Sequence, residues 1–296
     1  MLIRPTRFCL MALLPSLLAC ADSAVYVVNI NSQFGTLDLN TGAFNQIGPN
    51  TPEGETGLVP GPDGSLLTLT YSGNLDSINP ATGAVTVIGP TGLANCSSPA
   101  SPCGPNSAGT LGAVDGKFYA TDFQNNLYSV NPYTGHATLI GRTGLPAVPF
   151  IPGTVNPNGS FDFYDPGLLG IGGKLFATFD AGIFNPATSS NQVVIAPELY
   201  SIDPATGLST LIGSTALGLD ALAGIDGSIY AFSGTSNQIL TLNPANGATR
   251  VVGSIDHSAG VIAGAAPVPE PASIAVTACG LFLLALAWRR GRTAAS

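Results

Sequence analysis

Charge is scarce in this sequence. Asp, Glu, Lys and Arg make up 9% of its 296 residues, beside 37 glycines and 24 prolines. That balance favours many short strands and tight turns over long helices, while 45% apolar residues supply an ample core and set disorder aside. Basic residues are scarcer still. Without residues 1–23 and everything from Pro269 on, only Lys117, Arg142, Lys174 and Arg250 remain. They stand against 15 acids (17 minus Asp22 and Glu270), a net charge of −11. A phosphate backbone finds no purchase there, so nucleic acid is excluded as a partner.

The chemistry-bearing residues are as sparse. His136 and His257 are the two histidines and stand far apart, so no imidazole ligand cluster is expected. Trp288, the one tryptophan, is near the C-terminus, which excludes a sugar platform of stacked indoles and leaves only Tyr133 or Tyr164 as substitutes. Gly-x-Ser-x-Gly, His-Glu-x-x-His and a helix-opening phosphate loop are all missing. Of five cysteines, Cys9, Cys20 and Cys279 fall in apolar terminal runs. Cys96 and Cys103 remain, in "NCSSPASPCGP", where a disulfide would close the loop in an oxidising compartment; one pair makes no metal site.

What is present is organised. The start, "MLIRPTRFCLMALLPSLLACADSA", has Arg4 and Arg7, then an apolar run from Phe8 to Leu18, then small residues. It resembles a signal peptide, 1–23, cleaved after Ala21 or Ser23, with lipidation at Cys20 as the alternative. At the other end, Ala272–Trp288 is 17 residues without a charge, about 26 Å as a helix and at the short end of the spanning range. The basic tail 289–296, with Arg289, Arg290 and Arg292, would hold its far end in the cytoplasm and leave the body outside. Pro269 and Pro271 keep the segment around Glu270 extended.

Val268-Pro269-Glu270-Pro271, the apolar helix and the terminal arginines together resemble the PEP-CTERM sorting signal. The resemblance covers roughly the last 30 residues, from the linker 267–271 onward. It implies a Gram-negative host, recognition by an integral-membrane exosortase that cleaves or transfers the body, and an exported protein, first anchored in the inner membrane and then at the cell surface or outside. It implies an association with exopolysaccharide and says nothing about the cargo's own activity.

Between the ends the sequence repeats itself. "TLDLNTGAFNQIG", "LDSINPATGAVTVIG", "LYSVNPYTGHATLIG", "LYSIDPATGLSTLIG" and "ILTLNPANGATRVVG" align on Gly42, Gly83, Gly135, Gly207 and Gly247. Their spacings are 41, 52, 72 and 40 residues, a period near 40 with two insertions. In "INPATGAV" Asn79 can cap the turn, Pro80 presets its first corner and Gly83 takes a left-handed position, a hairpin with a bulge. Upstream, Asp63-Gly64, Asp115-Gly116, Gly172-Gly173 and Asp226-Gly227 predict two-residue primed turns. Each period therefore holds two hairpins, the size of a propeller blade. The first repeat lacks its upstream half and an orphan half follows the last, so Val261–Ala265 is expected to complete the blade begun by Val25–Gly48. The expected fold is all-β: a five-bladed propeller over 24–266, with 142–198 long enough to conceal a sixth blade. The repeats are similar to degenerate bacterial propeller repeats of the "LYxIDPxTG" kind.

Candidate sites are few. Asp63, Asp115 and Asp226 precede turn glycines, and Asp38, Asn79, Asn131, Asp203 and Asn243 occupy the repeated turn-capping position; residues repeated in every blade build structure. Asp162 and Asp165 in "NGSFDFYDPG" do not repeat, and could bind a cation or act as an acid/base pair; an Asp-Pro turn explains them as well. Three readings follow: a non-catalytic exported propeller presenting the insertions 91–110, 142–165 and 185–197 to a glycan or protein; a polysaccharide lyase or hydrolase, its site in the channel where several of Lys117, Arg142, Lys174 and Arg250 would have to meet Asp162 or Asp165; and a calcium-stabilised adhesin. No catalytic set and no cofactor is expected.

Overall fold

A computed structural model describes residues 24–93, 108–147, 160–188 and 190–268, and for residues 108 and 161–165 the backbone only. The leader, the residues from Pro269 onward and the Cys96–Cys103 loop lie outside the described residues.

The described residues form twenty strands and one short 3-10 turn, His257–Ala259. The first blade contributes β1 (Ala24–Asn29), β2 (Phe34–Asp38) and β3 (Phe44–Gln46). The second holds β4 (Glu55–Pro60), β5 (Leu66–Thr70), β6 (Asn74–Ile78) and β7 (Val85–Pro90). In the third are β8 (Ala108–Val114), β9 (Lys117–Asp122), β10 (Asn126–Val130) and β11 (Ala137–Arg142). The fourth comprises β12 (Phe161–Ile171), β13 (Lys174–Asn185), β14 (Ser190–Ile202) and β15 (Ser209–Ser214). The fifth comprises β16 (Leu219–Ile225), β17 (Ser228–Ser233), β18 (Gln238–Leu242) and β19 (Thr249–Ser254), and β20 (Ile262–Pro267) follows. Every sheet is four-stranded and antiparallel. The innermost strands β4, β8, β12, β16 and β20 touch in sequence around a closed ring. This is a five-bladed β-propeller.

Closure is made by β20, which pairs with β1 from Val25 opposite Pro267 to Asn29 opposite Ile262. The first blade thus takes its inner strand from the far end of the domain, and the ring has no open inner edge. The long interval 142–198 holds no sixth blade. Its length goes into the fourth, where β12, β13 and β14 run 11, 12 and 13 residues.

The core lies between blades. Val28 and Phe34 of the first blade meet Leu58, Leu66 and Ile78 of the second, and the other neighbouring pairs are packed alike. Both faces of a blade are therefore covered, which is why β5, Leu-Leu-Thr-Leu-Thr, is buried along its whole length and reads as an unbroken run rather than an alternation.

The repeated turn behaves as its residues require. Side-chain oxygens of Asp38, Asn79, Asn131, Asp203 and Asn243 each accept the N–H two residues on, at 2.8–2.9 Å. Each also accepts, at its own carbonyl, the N–H of the glycine four residues on, and those glycines have φ between +69° and +81°. The inner turns Asp115-Gly116, Gly172-Gly173 and Asp226-Gly227 have positive φ at both residues, as a primed turn needs. Asp63-Gly64 differs: only Gly64 has positive φ, and the loop is closed by the Gly61 N–H on Ser65 at 2.7 Å. Pro62 holds φ near −65° and lengthens the connection to three residues.

Candidate functional site

The channel is the usual place to look in a ring of blades, and here side chains, apolar except for Thr110 and Asp220, all but fill it. Leu58, Leu111, Leu168, Leu222 and Ala265, one from each inner strand, line a cavity of only about 10 Å³, room for no more than one water. At one mouth a cavity of about 240 Å³ has Asp115 as its only titratable lining residue. A cavity of about 630 Å³ lies instead on the outer side of the fourth and fifth blades, between Lys174, Pro204 and Pro244.

Most buried polar groups have structural employment. At the end of the second strand in four blades a buried polar side chain caps the following turn: Asn29, Thr70, Asp122 and Ser233. Asn29 Oδ1 accepts from the N–H of Asn31 and Gln33, Thr70 Oγ1 from Asn74, Asp122 Oδ1 from Gln124 and Asn126, and Ser233 Oγ from Ser236. In the fourth blade the register places Phe179 there, and the strands continue instead of turning. Asp122 also accepts from the Tyr128 hydroxyl at 2.9 Å and the Asn126 amide at 2.8 Å. Burial first, then the bond and charge of Asp122, push the Tyr128 phenol up to about 12. The Tyr200 hydroxyl donates to Glu198 in the same manner.

Two carboxylates have no such employment. Glu55, at the start of β4, is 1% exposed and Asp76, on β6, 5%. Both Glu55 oxygens and Oδ1 of Asp76 are buried without a hydrogen-bond partner. Register puts Glu55 beside Thr70, and Asp76 beside Thr68, which also pairs with Leu58. All lie on the face of the second blade that packs Leu58 and Ile78 against the first. Burial, then the charge of Asp76, push Glu55 up to about 8, against the opposing pull of the Thr51 hydroxyl. Burial and then the charge of Glu53 push Asp76 up to about 6.

Sequence reasoning did not single out this pair. The signal was in the aligned repeats: the register position of Asp76 is occupied by Tyr128 and Tyr200 in the next two blades and by Leu240 in the fifth. A single acid in a place otherwise aromatic or apolar departs from the pattern of a turn cap.

The structure does not bring the sequence-derived candidates together. Lys117 and Lys174 are exposed at the β8–β9 and β12–β13 hairpin tips, opposite Val114 and Ile171. The backbone of Asp165 lies six ladder positions from Ile171, roughly 20 Å along the strand, with Asp162 further on. Arg142 and Arg250 are exposed on the outermost strands of the third and fifth blades. His136 and His257 are exposed. Among the described residues no three His, Cys, Asp or Glu side chains form a metal cluster, and no helix is long and apolar enough to cross a membrane. Cys96, Cys103, Pro269, Glu270, Pro271, Arg289 and Arg290 lie outside the described residues; Val268 follows β20 directly.

No protein-family model matches the chain, and no curated protein does. Solved structures do. A nidogen/laminin complex aligns at a TM-score of 0.48 and 11% identity, over 82% of this chain and 97% of that one. A Bacteroides thetaiotaomicron structural-genomics protein of unknown function gives 0.46 and 15%, over 78% of this chain and 55% of that one. The PQQ-bound aldose sugar dehydrogenase of Streptomyces coelicolor gives 0.41 and 13%, over 73% and 86%.

Proposed function

We propose that the protein is an exported, non-catalytic propeller, routed by its PEP-CTERM-like tail through an exosortase and displayed at the cell surface or in the matrix, where its loops bind a glycan or protein. The apolar collar of Leu58, Leu111, Leu168, Leu222 and Ala265 carries this reading. It leaves the channel too narrow for a sugar ring; one mouth offers Asp115 alone as a titratable group, already engaged as a turn residue, and Asp220, which lines the narrowing, accepts the Gly234 N–H. Function then falls to the periphery, where the connections between blades vary in length while the blades hold them in place. The lengthened β12–β14 hairpins extend the fourth blade well beyond its neighbours and give the ring one asymmetric projection.

The test is a binding screen of the purified exported chain against exopolysaccharide from its host and against common glycans. Saturable binding is expected. It should be lost when the β13–β14 extension is cut back to the length of the other blades, with the melting temperature retained. Shortened polysaccharide products in the same assay would replace this reading by the lyase or hydrolase one.

A further inference from the structure

Blades one and two contain no Lys, Arg or His between Ala24 and Leu93. Among the described residues, Glu55 and Asp76, buried between these two blades, therefore have no Lys, Arg or His on the strands of their own blade or the first. Lys117 and Arg142 belong to the third blade, Lys174 to the fourth and Arg250 to the fifth, all exposed. Three carboxylate oxygens are left without a donor. An uncompensated buried carboxylate is among the most costly groups a fold can hold, and two together repel each other. Asp122, equally buried, shows what this fold does when a carboxylate is only structural: backbone and side-chain donors surround it.

We propose that Glu55 and Asp76 hold a calcium ion between the first and second blades. The donor set is oxygen alone, which selects a hard cation over zinc or copper. Hydroxyls of Thr51, Thr68 and Thr70 stand on the same side of the blade or at its edge. Thr51 donates to Glu53 O at 2.8 Å and Thr68 to Gly57 O at 2.8 Å, so their lone pairs remain available to a cation, and water completes the shell. Where the third and fourth blades bridge to the preceding blade with Tyr128 and Tyr200, the second would do so through the ion. With two carboxylates the affinity falls in the range of extracellular calcium modules, about 0.1–1 mM.

The test is calorimetric titration of CaCl2 into the full chain, with melting curves in EDTA and in 10 mM CaCl2. The expected result is one ion per chain and a rise in melting temperature on the order of 5 °C. Glu55→Gln and Asp76→Asn should each abolish the shift, and should melt in EDTA at or above the wild-type temperature because a buried charge has gone. The double variant Asp162→Asn/Asp165→Asn should keep the full shift. Wild-type protein that takes up no calcium and melts identically in both buffers overturns the proposal, as does a shift that survives both single variants or is lost with Asp162 and Asp165. If the single variants do not fold, the wild-type stoichiometry and the Asp162/Asp165 variant decide.

Discussion

Gly83 of the second blade stands against the carbonyl oxygen of Ile47 in the first, so close that a Cβ at position 83 would overlap that oxygen. The same contact joins Gly135 to Gly89, Gly247 to Ser214 and Gly42 to Ser254 around the ring. The turn glycine therefore serves two ends: its φ of +69° closes its own hairpin, and its missing side chain lets neighbouring blades touch. Gly227, with φ +76° but nothing within 4 Å of an added Cβ, has only the first role. Gly83→Ala should cost about 3 kcal/mol, strain plus overpacking, and Gly227→Ala only about 1 kcal/mol. Denaturant melts of the two variants measure the difference; equal losses would show that blade contact plays no part.

Asp203 fills a position that Asn79, Asn131 and Asn243 fill in other blades, with the same bond to the N–H two residues on. Asp203→Asn should melt with the wild type at neutral pH, and Asp203→Ala below both. Backbone donors from Ala205, followed by the Thr206 hydroxyl, hold the Asp203 carboxyl below its ordinary value. A lowered carboxyl contributes stability above its unfolded value and loses it as pH falls through the folded one. Below pH 4 the Asn variant should therefore outlast the wild type.

The Tyr128 phenol is raised to about 12, so its sign is opposite. Folding favours the protonated form: the contribution is complete below the unfolded value of about 10 and is lost as pH climbs through 12. Tyr128→Phe should lose about 1 kcal/mol at pH 8, and the gap to wild type should shrink by pH 11. Chemical denaturation at the two pH values checks this; a gap that widens would contradict it.

The proposed routing is tested apart from the propeller. Replacing Pro269, Glu270 and Pro271 by Ala should leave the protein in the membrane with its tail attached, seen by fractionation and intact mass. Release into the medium unchanged would count against the sorting reading.

Local chemistry made the repeat legible. An Asx cap followed by a glycine that must be left-handed leaves few alternatives, and an orphan half-blade at each end of the repeat array leaves one way to close it. Three features were hidden because they belong to packing between blades. Leu58 and Leu111 look like any core leucine until the ring sets them around the channel. Phe179 takes the place where other blades cap a turn, and so lengthens the fourth blade. Glu55 looks like a surface acid until the first blade covers it. The Pro62 loop misled for a local reason, since proline has no N–H to donate to Ser65 across a two-residue turn, and Gly61 makes that bond instead.

Val25 faces Pro267 across a strand pair, which sets an order on biogenesis. The first residues of the domain wait for nearly the last ones, so no completed disc exists until Pro267 is free to pair with Val25. Closure of the ring is therefore timed by the arrival of β20.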